Sequence, residues 1–285
     1  MESLPNGDAE QRDWKVTAPR TIDLDGVREL VVDSTAGRID VLGRAGDIAR
    51  IEVVEVRGDP LAVELRDGIL TLTHRTSAAR FLERLLTGGQ VPPGKAKERC
   101  VASIAVPART RVTVKTAVGE TLVAGIDAEV SARTVTGPLL VDGTSGRLSV
   151  HTVSGEAIVR GHRGRLAAES VSGDITASGD LSDVIAESVS GSIHLDLHGR
   201  PETVSATTVS GAVRIRVPEG VGIQLAARTA SGSVALNEQS FRGIGTDVRV
   251  SEGPADPSVA IRTEGVSGRV AVFHAAPSET SGAGR

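Results

Sequence analysis

His194, Asp196 and His198 alternate through the phrase SIHLDLHGR. On a strand all three side chains lie on one face, opposite Ile193, Leu195 and Leu197. Imidazole and carboxylate donors on one face are the ingredients of a divalent-metal site. The spacing argues against one, because the two histidines of an extended strand lie about 13 Å apart. The trio reads as the solvent side of an exposed strand, and no metal is assigned. Glu156 and Asp174 each follow a turn glycine and fall in one column. Paired carboxylates can serve a carbohydrate-active enzyme, but no Trp or Tyr accompanies them as a sugar platform. Cys100 alternates with Ala102 and Ile104, the pattern of a buried structural thiol. No Gly-x-Ser-x-Gly elbow, P-loop, dinucleotide fingerprint or calcium nonapeptide is present. We therefore expect no catalytic residues and no cofactor.

The elements that position these residues are written as a repeat. KTAVG ends at Gly119, RTVTG at Gly137, HTVSG at Gly155, and ESVSG at both Gly173 and Gly191. These intervals are all 18 residues; TTVSG, RTASG and GVSG then follow at Gly211, Gly232 and Gly268, after 20, 21 and 36. A fixed period of this size signals a stacked architecture. After each glycine runs an alternating segment, such as Ile175 and Ala177, or Ile193 and Leu195. Before it runs another, such as Leu148 and Val150, Leu166 and Ala168, or Val184 and Ala186. Period-two alternation means strands with one buried face. The expected fold is an all-β, single-domain β-solenoid or roll of two-strand coils, each about 18 residues. A sandwich of antiparallel hairpins is the competing topology, and the strict phase favours coils.

Two outward columns belong to the repeat. The first reads Lys115, Arg133, His151, Glu169, Glu187, Thr207, Arg228 and Glu264. It sets Arg133 beside His151 and His151 beside Glu169, pairs that contribute about 0–1 kcal/mol each when exposed. The next column reads Thr116, Thr134, Thr152, Ser170, Ser188, Thr208 and Thr229. A hydroxyl ladder could bind ordered water, ice or glycan. The plainer expectation is that the hydroxyls satisfy turn amides and one another.

Composition agrees with a thin core. Hydrophobic residues make up 39% of the 285, but aromatics only 1%. The net charge of −4 comes from interspersed charges, without a basic stripe or aromatic stacking platform, so nucleic-acid binding is not expected. One cysteine excludes an intrachain disulfide. No apolar run is long enough to span a bilayer. The polar start MESLPNGDAEQRDW lacks the features of a secretory signal, so a cytoplasmic location is the expectation.

The organisation expected along the chain is a disordered N-terminus over 1–13, then an irregular β section over 14–106. The repeats follow over 107–274, interrupted at 237–258 by one extra strand, DVRV, with a disordered tail over 275–285. Within the irregular section, ELVVDSTAGRIDVLG carries a weak version of the repeat. Residues 77–99 break the β pattern with a short amphipathic helix and a Gly/Pro/Lys loop. Phe81, Leu82, Leu85 and Leu86 lie at helical spacing and form the candidate interaction element.

The phrases RTVTG, HTVSG, ESVSG and TTVSG, with VSGRVAV near the end, resemble those of a bacterial β-strand-repeat family, domain of unknown function 4097. VASIAVPARTRVTVKTAVGE is similar to that family's entry into its repeats. The likeness spans residues 27–273 and implies the fold. It brings an adhesin label but no catalytic residues. The expected function is a non-enzymatic structural or protein-interaction module, acting through an unidentified protein partner or self-association. The alternatives are an adhesin-like or envelope-stress-associated surface protein, exported by a non-classical route, and a carbohydrate-active solenoid using Glu156 and Asp174.

Overall fold

The computed structural model of the chain describes residues 11–74 and 99–275. Among them every regular element is a strand. The inward residues read from the repeat are buried, including Leu148, Val150, Leu166, Ala168, Val184, Ala186, Val204 and Ala206. Alanine recurs at inward positions in successive strands, which brings facing walls close and leaves no room for rings. The described aromatics are accordingly peripheral: Trp14 and Phe241 are half-buried and Phe273 is exposed. The chain divides into two compact units, residues up to Leu139 and residues from Leu140 onward.

The first unit contains β1 (Arg12–Val16), β2 (Arg20–Leu24), β3 (Glu29–Arg44), β4 (Ala49–Arg57) and β5 (Leu61–Arg66). It continues with β6 (Ile69–His74), β7 (Arg99–Pro107), β8 (Arg111–Ala124) and β9 (Val130–Thr136). β8 and β9 pair in parallel, Val112 with Val130 and Val114 with Ala132. β3 pairs in parallel with β8 along its length, Leu30 with Val112 and Ile39 with Thr121. Its other side takes β6 and β7 in turn, Leu30 with Leu70 and Val41 with Ile104. Beyond these the direction reverses: β4 and β5 run antiparallel to β7 and β6. β2 and β1 then close the two walls on β4 and β5. The section expected to be irregular thus contains a complete rung, β3, lying between segments that follow it in sequence.

The second unit begins with β10 (Leu139–Asp142) and continues with β11 (Ser145–Thr152), β12 (Ala157–Ser170), β13 (Ile175–Ser188), β14 (Ile193–Leu197) and β15 (Thr203–Ser210). It ends with β16 (Val213–Val217), β17 (Gly222–Leu236), β18 (Gln239–Glu252) and β19 (Ser258–His274). From β11 to β16 the rungs stack in chain order and in parallel, Leu148 on Leu166, Leu166 on Val184 and Val184 on Val204. The order then inverts. β19 lies on β15 and β16, Val204 with Ile261 and Val213 with Val270. β17 lies on the far side of β19, Leu225 with Ile261. β18 caps β17 in the antiparallel sense, Leu225 with Val250 and Val234 with Phe241. The interruption expected at 237–258 with one extra strand DVRV is therefore a full-length strand of 14 residues.

Two expectations fall outside the described residues. The helical insert at 77–99, with Phe81, Leu82, Leu85 and Leu86, lies there apart from Arg99, which opens β7. So does the tail beyond Ala275.

Placing a carboxylate at a core position buries a charge with no partner. Leu148→Asp and Val184→Asp, both at buried positions, are each expected to destabilise the fold by about 3 kcal/mol or more. A thermal melt unchanged by either substitution would contradict this packing.

Candidate functional site

The corner of each rung is the most constrained place in the fold. A Cβ on Gly173 would stand 1.9 Å from the Gly155 carbonyl oxygen, and one on Gly191 would stand 2.0 Å from that of Gly173. The corners of successive rungs touch backbone to backbone, so only glycine fits. The hydroxyl column faces inward here and is buried from Thr116 to Thr229. Gly155 N–H donates to Thr152 Oγ1 at 2.9 Å, Gly173 N–H to Ser170 Oγ at 2.9 Å and Gly191 N–H to Ser188 Oγ at 2.8 Å. Ser170 donates back to the Gly173 carbonyl at 2.6 Å. These hydroxyls cap their own corner rather than offering a ladder to water or glycan. Thr134 Oγ1 is buried without a hydrogen-bond partner among the described residues.

The valine of the same phrase is a feature that the sequence did not assign. Val171, Val189, Val209 and Val266 are 45, 47, 46 and 52% exposed at successive corners.

The outward candidates do not converge. Asp196 accepts from Arg216 Nε at 2.6 Å across the rungs and lies 3.5 Å from His198 Nε2. Its carboxylate is held below the ordinary range, chiefly by the Arg216 hydrogen bond, against the opposing effect of partial burial. Asp196 is thus bound up in an ion pair. Among the described residues no group of three or more His, Cys, Asp or Glu is placed to hold a metal. His151 meets Glu169 at 3.0 Å, the cross-rung neighbour expected of it. Asp174 is exposed and accepts the backbone N–H of Ser192 at 2.7 Å, and Glu156 is also exposed. Cys100 is fully buried, and burial pushes its thiol up to about 11, far from a reactive thiolate. His162 is buried too, bridging Thr144 Oγ1 at 2.9 Å and the Arg165 carbonyl at 3.2 Å, and burial holds its pKa below the ordinary value.

An extended groove in the second unit crosses the outer face of β13, β15, β19, β17 and β18. It encloses about 630 Å³ over a floor that includes Ser205, Ala226 and Ala260, with Ile185 at one end, Arg249 at the other and Arg262 between Ser205 and Ala226. A contiguous hollow of about 460 Å³ continues past Ala226 to Arg228, Asp247 and Glu264. Arg228 donates to Asp247 at 3.1 Å. The sequence signals neither feature, because strand order decides which side chains flank the groove.

Stacked two-strand rungs, thin aliphatic cores and capped glycine corners define a β-solenoid class of fold. Residues 51–272 match the Toastrack family, domain of unknown function 4097, and the chain belongs to it. No curated protein matches the chain. Among solved structures it is similar to one from Parabacteroides distasonis provisionally named a lipid binding protein. The identity is 12%, covering 95% of this chain and 98% of that one, with a TM-score of 0.49. It is also similar to a provisionally named adhesin from Bacteroides fragilis, at 14% identity over 94% and 98% of the two chains, with a TM-score of 0.40. Likenesses at this level say nothing of activity.

Ser188→Ala leaves the buried Gly191 amide without its acceptor and is expected to cost about 1–3 kcal/mol in chemical denaturation, with Ser188→Thr close to wild type. The Asp196–Arg216 pair gives a pH signature. A carboxylate whose folded pKa is depressed adds stability above its unfolded value and loses it as pH falls through the folded one. Asp196→Asn should therefore cost up to about 1 kcal/mol near neutrality. That gap should narrow in denaturant melts as the pH falls below the ordinary aspartate range and through the folded pKa.

Proposed function

We propose that this protein is a non-enzymatic interaction module whose second unit associates with a second copy of the chain through the edge of β18. The observation behind the reading is the contrast between two edges. In the first unit the terminal strands β1 and β2 are five residues each and carry Arg12, Asp13, Lys15, Arg20 and Asp23. Short, charged edges of this kind discourage strand addition. In the second unit β18 has 14 residues and pairs with β17 alone among the described residues. A long edge presents a row of free N–H and C=O groups, the usual template for strand addition.

A second copy suits this edge on charge. Antiparallel pairing of two β18 strands about Val248 sets Asp247 of each copy opposite Arg249 of the other, twice over by symmetry. Opposite charges facing across strands add to the pairing, whereas the registers centred on Asp247 or Arg249 set like charges together.

Sedimentation velocity over a wide concentration range tests it. The chain is expected to form a dimer that Ser240→Lys with Ser251→Lys weakens at least about tenfold, through the like charges it places along the edge. Both serines are exposed, so the melting temperature should hold. A monodisperse monomer at high concentration, or a dimer indifferent to the paired substitution, would overturn the proposal.

A further inference from the structure

Arg249 and Arg262 stand on either side of Ala226, at directly paired positions on β18, β17 and β19. All three side chains share the outer face. The two arginine backbones are two strand spacings apart, about 10 Å, with only a methyl group between them. Both arginines are exposed. Neither guanidinium has a hydrogen-bond or ion-pair partner among the described residues. The neighbouring Arg228, by contrast, is paired with Asp247. Arg249 and Arg262 also line both hollows described above, where these join over Ala226.

We propose that Arg249 and Arg262 form a clamp for a tetrahedral oxyanion, the phosphate group of a small ester, seated above Ala226 with its organic part in the groove toward Gln224 and Ala260. A guanidinium binds oxyanions through a planar fork of two parallel donors. Two forks approaching from opposite sides need at least three acceptor oxygens, one of them shared, which a phosphate monoester has and a carboxylate lacks. The small side chain of Ala226 leaves the space that the anion occupies. The groove as a whole, about 630 Å³, admits the anion with a body of sugar or glycerol size. The nearby acids set the balance: Asp247 is neutralised by Arg228, whereas Glu264, two residues along β19 from Arg262, opposes the anion.

The site does not depend on the pairing of β18 proposed above, since both arginines face solvent in a single chain. Arg249 would meet Asp247 of a second copy in that pairing, so binding is measured on dilute protein, where the chain is monomeric by sedimentation. Inorganic phosphate and glycerol phosphate are titrated by calorimetry at constant ionic strength, and phosphatidic acid vesicles, whose headgroup is a phosphate monoester, are tested by co-sedimentation. Saturable binding is expected, with glycerol phosphate tighter than phosphate. Arg249→Gln and Arg262→Gln should each weaken it about tenfold, and Glu264→Gln should tighten it about threefold. Arg214→Gln, at an exposed arginine on the other wall, should leave it unchanged. Glycerol phosphate binding would identify a soluble ester. Binding to vesicles alone, with the same dependence on Arg249 and Arg262, would identify a lipid headgroup. No binding by any of the three probes, or binding lowered as much by Arg214→Gln as by the clamp substitutions, would overturn the proposal. Unchanged melting temperatures of the variants exclude misfolding as the cause of a loss.

Discussion

The backbone-to-backbone contact at the rung corners governs the fold. Where the chain turns from one wall to the other, the Cα of one corner glycine lies against the carbonyl of the glycine in the adjacent rung. Strands stacked about 4.8 Å apart can hold this approach only if no Cβ intervenes. Turning there strands an amide in the interior, and the Thr or Ser three residues earlier accepts its hydrogen bond. Gly and hydroxyl therefore recur together, because each solves a problem that the other's presence creates or leaves.

A tight corner leaves little width between the walls. The interior is filled by pairs such as Leu166 and Ala168, or Val184 and Ala186, whose fit depends on small and branched aliphatics. Each rung buries little by itself, so stability accumulates by stacking neighbours. The outward faces add modestly, through exposed cross-rung pairs such as Arg165–Asp183 and His151–Glu169. Several outward acids and bases face a complement on an adjacent rung. That arrangement spreads chemistry along the stack and gathers little of it at any point.

The inversion of strand order near the end of the second unit is the exception. Because β19 enters between β16 and β17, the corner glycines stack in the order Gly211, Gly268, Gly232, the last two with would-be Cβ atoms 2.0 and 2.1 Å from the carbonyl oxygens they face. The same insertion sets Arg262 across Ala226 from Arg249. A stack in simple chain order would have put β19 outside β17 and separated these groups. In the first unit β3 enters between β7 and β8 in a similar way, and Gly37 stacks between Cys100 and Gly119. Strand order, rather than the repeat, creates local surface character.

The sequence by itself determined the rung. The 18-residue phase, the alternation of aliphatics and the Thr/Ser–Val–Ser–Gly corner are local properties, since each depends on neighbours at fixed separations along one coil. They sufficed to name the buried positions, the capping hydroxyls, the buried Cys100 and the cross-rung partner Glu169 of His151. Only the tertiary structure decided the order in which rungs lie, because a strand of suitable pattern fits any vacancy in a parallel stack. A repeat unit such as VSGRVAV, from Val266 to Val272, carries no mark of whether it follows RTASG or slips beneath it. For that reason β18 reads as an interruption though it is the capping strand, β3 reads as a weak copy though it is a full rung, and the Arg249–Arg262 groove has no linear signature.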